Sequence, residues 1–248
     1  MRSNICVATA YDAAFREIGD YCGMTLRCYA ARFGLDAVVE TSFSLDRPPA
    51  WRKIKLVQEL FDAGYDYVMW VDADALFCRF DVDVRGVLDD RFNFYLVEHH
   101  HPAYPSAPVP NSGVFIARNC AWTRKFLSDI WGMTEFIDHI WWENAAVMRL
   151  MGYHSLLGPQ ANAFDQNLLR HMKFLPVEWN FCTAVGSCDD PIIKHYAGQP
   201  RSVRLSEMPR DALRACFNAI STSESFARSM ALSGTGSGSV RPVPAGRG

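Results

Sequence analysis

Two aspartates at the end of an apolar run are the residues best placed to do chemistry. In Tyr67-Val-Met-Trp-Val-Asp-Ala-Asp-Ala-Leu-Phe77, apolar residues lead straight into Asp72 and Asp74, with Ala73 between them. Such a run reads as a buried strand, and open α/β sheets bind ligands at the carboxyl ends of their strands. Residues i and i+2 of an extended chain face the same way, so both carboxylates are expected to converge on one point. Two carboxylates alone would repel, which makes a hard divalent cation, Mg²⁺ or Mn²⁺, their natural partner. An ion held by so few protein oxygens keeps positions open for phosphate oxygens and stabilises a departing diphosphate. The alternative is a pair of solvated turn aspartates or helix caps. The chain supplies a control in Asp81-Val-Asp83, which lacks a preceding buried strand and reads as an exposed turn.

The same pair admits a phosphohydrolase of the haloacid-dehalogenase type, with Asp72 as phosphoryl-accepting nucleophile and Asp74 as general acid. That motif continues with Gly-Thr or a similar Thr/Val and sits on an early strand. Here Ala75-Leu76 follows, well into the chain, which disfavours it.

Two other strand ends carry polar groups. Ile5-Cys-Val-Ala-Thr-Ala10 runs into Tyr11 and Asp12. A Tyr ring there can stack on a base and Asp12 can pair with its edge, although Asp12 as an ordinary N-cap is the stronger reading on residue type alone. Pro191-Ile-Ile-Lys-His-Tyr-Ala-Gly198 reads as a strand whose carboxyl end carries His195, a candidate third metal ligand, with Gly198 for close backbone approach and Arg201 for fixed charge beyond it. The His99-His-His101 run is a weaker metal candidate, because adjacent residues of a strand do not face one another. Pro102, Pro105, Pro108 and Pro110 make 98–110 a loop, solvated or facing an acceptor.

The elements that must position these groups follow from hydrophobic period. Strands are expected at 5–10, 37–40, 65–71, 92–97, 114–117 and 192–195, and helices at 13–33, 51–63, 120–131 and 142–151, with Gly64 closing the second helix. That alternation predicts an α/β fold: a single Rossmann-like domain with a mixed, mostly parallel central sheet flanked by helices. The domain is expected over 1–220, followed by a Ser/Gly-rich flexible tail over 221–248 that cannot bury enough apolar surface to order itself.

Composition narrows the function classes. The 248 residues carry a net charge of −2, which gives no electrostatic footprint for nucleic acid. The apolar runs are strand-length, so no transmembrane segment is expected. Eight cysteines without a CxxC pair, with Cys6, Cys78, Cys120 and Cys182 inside apolar runs, read as reduced thiols in a cytoplasmic protein.

Taken in order, several stretches resemble metal-dependent glycosyltransferases of the GT-A fold. They are Trp51-Arg-Lys-Ile-Lys55, Trp70-Val-Asp-Ala-Asp-Ala75, Asn111-Ser-Gly-Val-Phe115 with Arg118, Asn119 and Trp122, Trp141-Trp-Glu-Asn-Ala-Ala146, and His195-Tyr-Ala-Gly198 with Arg201. The similarity is greatest to the family 34 galactosyl/xylosyltransferases, with wider features of family 8, which includes glycogenin and lipopolysaccharide galactosyltransferases. It covers about residues 4 to 205.

The resemblance implies a UDP-sugar donor, Mn²⁺ (or Mg²⁺) held by Asp72, Asp74 and His195, and a nucleoside pocket at Thr9, Ala10, Tyr11 and Asp12, with Asp72 also near the ribose and Ala73 among the donor-binding residues. It places Lys53 on the donor side, Asn111, Ser112 and Gly113 on the wall near the transferred sugar, and Gly198 and Arg201 on the phosphates. Glu143-Asn144 falls where these families carry an acid-amide pair beside the anomeric carbon; Asp165-Gln166 is the rival, and Glu143 is favoured. Trp141, Trp142 and Trp179 are candidates to stack on acceptor sugars, against aromatic core packing as the alternative. Both families retain anomeric configuration, so an α-linked product is implied, by a nucleophilic carboxylate or a front-face route. The expected partners are a nucleotide sugar and a saccharide or glycolipid acceptor. Eukaryotic family 34 members carry a membrane anchor that this sequence lacks, so a soluble, cytoplasmic, bacterial or viral enzyme is expected. A catalytically lapsed nucleotide- or saccharide-binding module is the reading outside the enzyme class.

Overall fold

A computed structural model describes residues 3–100, 108–153 and 162–221. In chain order the elements are β1 (Ile5–Ala10), α1 (Arg16–Phe33), β2 (Asp36–Glu40), α2 (Arg52–Asp62), β3 (Tyr67–Val71), β4 (Ala75–Phe77), β5 (Phe94–His99), β6 (Val109–Arg118), α3 (Ala121–Gly132), α4 (Trp142–Met151), α5 (Gln166–Leu169), β7 (Met172–Phe174), β8 (Phe181–Cys182), β9 (Ile193–His195) and α6 (Arg201–Ser221).

The main sheet has the order β2-β1-β3-β6-β5-β7, and a smaller one the order β4-β9-β8. In the main sheet β1 pairs in parallel with β2 and β3, and β5 with β7, while β6 runs antiparallel to both its neighbours. This is the expected mixed, mostly parallel α/β sheet.

Both faces of the sheet are covered, and β3 shows why its sequence is apolar throughout. Alternate residues of a strand point to opposite faces. Val68 and Trp70 join a core with Trp51, Val57 and Phe61 from the α2 segment and Phe126 and Leu127 from α3. Tyr67, Met69 and Val71 join a second core with Leu26 and Tyr29 of α1, Phe77 of β4 and Ala215 of α6. Phe115 of β6 stacks on Phe94 with ring centroids 4.9 Å apart.

Three differences from the sequence expectation have local causes. The first helix starts at Arg16 rather than 13, because the Asp12 carboxylate accepts from Phe15 N and holds 13–15 as a turn. The loop expected over 98–110 is shorter: Glu98 and His99 complete β5 against Pro110 and Val109, and His99 is buried. His101, Pro102 and Pro105 lie outside the described residues. Helix α6 was not expected at all. Pro200 precedes its first turn, where its missing N–H costs nothing, and Pro209 lies within the helix. The tail expected over 221–248 lies outside the described residues beyond Ser221.

All eight cysteines are free thiols. No helix among the described residues is long and apolar enough to cross a membrane. The Phe94–Phe115 stack ties the antiparallel strand of the main sheet, β6, to its neighbour β5. Phe115→Ala is expected to cost about 3–5 kcal/mol, read as a lowered urea midpoint with an unchanged denaturant slope.

Candidate functional site

The site lies at the joint between the two sheets. β3 ends at Val71, and the chain turns at once, with Ala75 N donating to the Asp72 carbonyl at 2.9 Å. β4 then starts the small sheet, pairing antiparallel with β9 in a register that sets Ala75 opposite His195. Tyr196 N donates to the Asp74 carbonyl at 2.9 Å and locks that register. The two carboxylates therefore converge through a turn spanning two sheets, not along one extended strand. The result still brings a ligand atom from each of Asp72, Asp74 and His195 within 4.8 Å of the others.

Two carboxylates and an imidazole suit a divalent ion such as Mn²⁺, and the surroundings fit one. His195 Nε2 stands 3.2 Å from Asp74 Oδ1 and 4.0 Å from Asp72 Oδ2. Its Nδ1 is 2.9 Å from Asn180 Oδ1, a bond that leaves Nε2 facing the two carboxylates, the orientation a ligating imidazole would need. Asn180 is itself held, its Nδ2 donating to Asn111 Oδ1 at 3.0 Å. Gly113 leaves the room. A Cβ there would lie 2.1 Å from His195 Cε1 and 2.9 Å from Asp72 Oδ2.

A break in strand pairing builds the wall. The β5–β6 register jumps from Leu96–Phe115 to Val97–Asn111, so Ser112, Gly113 and Val114 bulge from β5. Gly113 O accepts from Asp72 N at 2.7 Å, which ties the bulge to the aspartate turn. On its other side, Ser112 N donates to Asn144 Oδ1 at 2.8 Å, and Ser112 Oγ donates to Glu143 Oε1 at 3.2 Å.

Lys53 joins these parts. Its ammonium, on α2, is 2.8 Å from Asp72 Oδ1 and 2.6 Å from Glu143 Oε1, and donates to the Ser112 carbonyl at 3.3 Å. The side chain is 3% exposed. Trp70 Nε1 donates to the same Asp72 oxygen at 2.7 Å. Glu143 Oε2 is buried and makes no hydrogen bond. Trp142 just before it takes a left-handed φ of 44°, strained for a non-glycine residue, and is 43% exposed.

The charges are strongly interdependent. Burial disfavours the Lys53 ammonium, but Asp72 and Glu143 outweigh it and hold its pKa above the ordinary lysine value. Burial pushes the Glu143 carboxyl up against the pull of Lys53. Burial opposes charge on Asp74 too, yet His195 and then Arg204 outweigh it and bring that pKa down to about 2. Burial would lower the His195 pKa, but Cys182 and Asp74 beside it raise it well above 6.5.

The structure thus brings together Lys53, Asp72, Asp74, Asn111, Ser112, Gly113, Glu143, Asn144 and His195. Thr9 is buried at the end of β1, its hydroxyl accepting from the Cys22 thiol, whose sulfur also reaches the Asp72 carbonyl. Ala10 is half-buried, and Ala73 lies buried inside the aspartate turn. Tyr11 is turned inward, its ring lying over Gly19 and its hydroxyl bonded to Asp20 at 2.7 Å. Gly198 adopts φ 72°, a conformation that favours glycine.

Asp165 lies elsewhere: it is exposed and caps α5, accepting from Asn167 N and Leu168 N. Arg201 points to the surface and pairs with Glu17 of α1 at 2.9 Å. Trp179 is core, whereas Trp141 is half-buried. Asp81 pairs with Arg79, and Asp83 caps the following turn. Sequence reasoning missed Asn180 and Arg204. Arg204, on α6, reaches Asp74 Oδ2 at 2.9 Å. Its signal was the helical phase of a segment whose prolines hid the helix.

Comparison with known proteins agrees with this geometry. A family model described as nucleotide-diphospho-sugar transferase matches residues 49–195, from the turn before α2 through His195. Two rice proteins called "Probable glycosyltransferase 3", from Oryza sativa subsp. indica and subsp. japonica, are each 31% identical over 144 residues, covering 54% of this chain. The match spans only 30% of the length of those relatives. Among solved structures, a glycosyltransferase involved in glycosylation of the major capsid of PBCV-1 superposes with a TM-score of 0.62 at 13% identity, covering 83% of this chain and 98% of that one. The galactosyltransferase LgtC, in complex with donor and acceptor sugar analogues, gives 0.53 at 12% identity, covering 85% and 95%. At those identities the likeness is one of fold.

Two outcomes follow from the charges. Lys53→Met leaves the buried Glu143 and the partly exposed Asp72 without their shared cation and is expected to cost about 3–5 kcal/mol, with partial recovery in Lys53→Met/Glu143→Gln by urea unfolding. Asp74, lowered in the folded state from 3.8 to about 2, contributes stability that is present above 3.8 and lost as pH falls toward 2. His195, raised in the folded state, contributes stability that is full below 6.5 and lost as pH rises through its folded pKa. In metal-free thermal melts across pH, Asp74→Asn is expected to flatten both flanks.

Proposed function

The chain belongs to the nucleotide-diphospho-sugar transferase family, and on that footing we propose that it transfers a sugar from a UDP-sugar to a saccharide or glycolipid acceptor, with retention. The observation that carries this reading is the joint itself. Asp72, Asp74 and His195 could hold a metal ion, and one lysine ties that cluster to a buried glutamate. A divalent ion there, Mn²⁺ or Mg²⁺, supplies Lewis acidity to a departing diphosphate.

The chain's own residues do the rest. The sugar–phosphate bond breaks through an oxocarbenium-like state, so negative charge grows on the leaving nucleotide and positive charge at the anomeric carbon. Lys53 holds Asp72 and Glu143 at a set separation and adds fixed positive charge on the donor side. Glu143 Oε1 is held by Lys53 and Ser112, and its unbonded Oε2 is buried, so the glutamate serves the anomeric centre as an electrostatic stabiliser, and as a nucleophile only where donor binding uncovers Oε2. Asn144 acts through Ser112 N and sets the height of the bulge that walls the sugar. Gly113 keeps side-chain bulk out of the metal cradle. The exposed ring of Trp142, next to Glu143, offers a stacking face for the acceptor.

Placement in family 34, an α-linked product, a transferase domain over 1–220 with a separate tail, and a cytoplasmic location complete the reading. Its support is the ordered run of motifs from Trp51 to His195 on the matched segment.

The test is calorimetric titration of UDP with Mn²⁺ and with chelator, then a screen of UDP-sugars for slow hydrolysis. Metal-dependent UDP binding is expected, lost in Asp74→Asn. Glu143→Gln should keep that binding and lower turnover by about 10²-fold or more. Absence of UDP binding in the wild type would overturn the reading, and binding without turnover of any UDP-sugar would favour a lapsed binding module.

A further inference from the structure

We propose that Arg204 is a resident counter-cation of Asp74 that hands its guanidinium over to the donor's diphosphate when a metal ion engages the aspartate. The proposal rests on the nucleotide-sugar reading above and deepens it. Each carboxylate of the aspartate pair already has a cation of its own, Lys53 on Asp72 at 2.8 Å and Arg204 on Asp74 at 2.9 Å.

The two cations differ in freedom. Lys53 is wedged between Asp72, Glu143 and the Ser112 carbonyl, and is 3% exposed. Arg204 is 19% exposed; beyond Asp74 its Nε donates to the Tyr196 carbonyl at 3.2 Å and its guanidinium lies 5.9 Å from the Phe15 ring centroid. Its partner on Asp74 is a single nitrogen, so most of the guanidinium fork is not committed to that carboxylate.

A divalent ion on Asp74 brings a like charge to within a few ångströms of that guanidinium and weakens its hold. A diphosphate arriving with the metal offers the planar fork a better match than a carboxylate shared with the ion. Arg204 sits at the start of α6, just after Gly198, whose left-handed backbone turns the chain from β9 into the helix. Arg201, where sequence reasoning placed the phosphate cation, faces Glu17 on the surface instead. Arg204 thereby couples the two ligands: it opposes metal alone and favours metal with nucleotide.

The test titrates Mn²⁺ alone, and UDP in saturating Mn²⁺, into wild type, Arg204→Met, Arg204→Lys and Arg201→Met by calorimetry. Arg204→Met is expected to bind Mn²⁺ alone about threefold tighter or more, and Mn²⁺-loaded protein to bind UDP about tenfold weaker or more. Opposite signs in one variant are not the mark of a structural brace. Should Arg204→Met fail to fold, Arg204→Lys carries the test. A lysine keeps a point charge on Asp74 without the fork, so Mn²⁺ affinity is expected to stay near wild type while UDP affinity falls. Loss of both affinities together, or a UDP defect in Arg201→Met but not in Arg204→Met, overturns the proposal. A wild type that binds Mn²⁺ but no UDP overturns the nucleotide-sugar reading beneath it.

Discussion

A single buried ammonium organises this molecule's functional edge. Lys53 comes from α2, and its partners come from the turn after β3, the bulge of β6 and the first turn of α4. An isolated lysine that deeply buried would shed its proton, and isolated carboxylates would take one up. Packed against Asp72 and Glu143, the Lys53 ammonium keeps its charge despite burial, so its geometry and its charge state are one property. Lys53 stands between Glu143 and Asp72, and that fixes how far the glutamate lies from the Asp72–Asp74–His195 cluster.

The joint between the two sheets is the second constraint. Neither aspartate could meet His195 inside one parallel sheet of this topology, because β9 belongs to the smaller sheet. The turn at Asp72 and Asp74 moves the chain from one sheet to the other, and the β4–β9 register delivers the imidazole. The bulge in β6 then makes space by presenting a glycine where any side chain would strike His195. A hydrogen-bonded line through Asn111, Asn180 and His195 connects that bulge to the imidazole. Wall and ligand are therefore oriented by the same network.

Much of the fold was legible in the sequence, for physical reasons visible element by element. β1 and α4 have the bounds their hydrophobic patterns predict, and β3 reads as buried because its residues feed cores on both faces. Asp72, Asp74 and His195 were legible because each follows or ends an apolar strand. Helix α6 was not, since Pro200 before it and Pro209 within it imitate punctuation and its outward Leu213 and Phe217 blur the amphipathic pattern. The bulge in β6 was illegible as well. Register between strands is a property of the pair, and neither strand alone encodes where it slips.

By itself, the sequence determined which chemistry was available: two carboxylates and an imidazole at strand ends, a lysine on an amphipathic helix, and an acid-amide pair opening another. Those are local facts, carried by residue type and period. Tertiary structure alone decided which of them meet. It turned Tyr11 inward and left Asp165 as a helix cap. It also chose Arg204 over Arg201 to face Asp74. A helix's phase against its neighbours is set by which of its faces buries apolar surface, here Met208, Ala212 and Ala215. The arginine that reaches the site is the one that this packing leaves pointing at it.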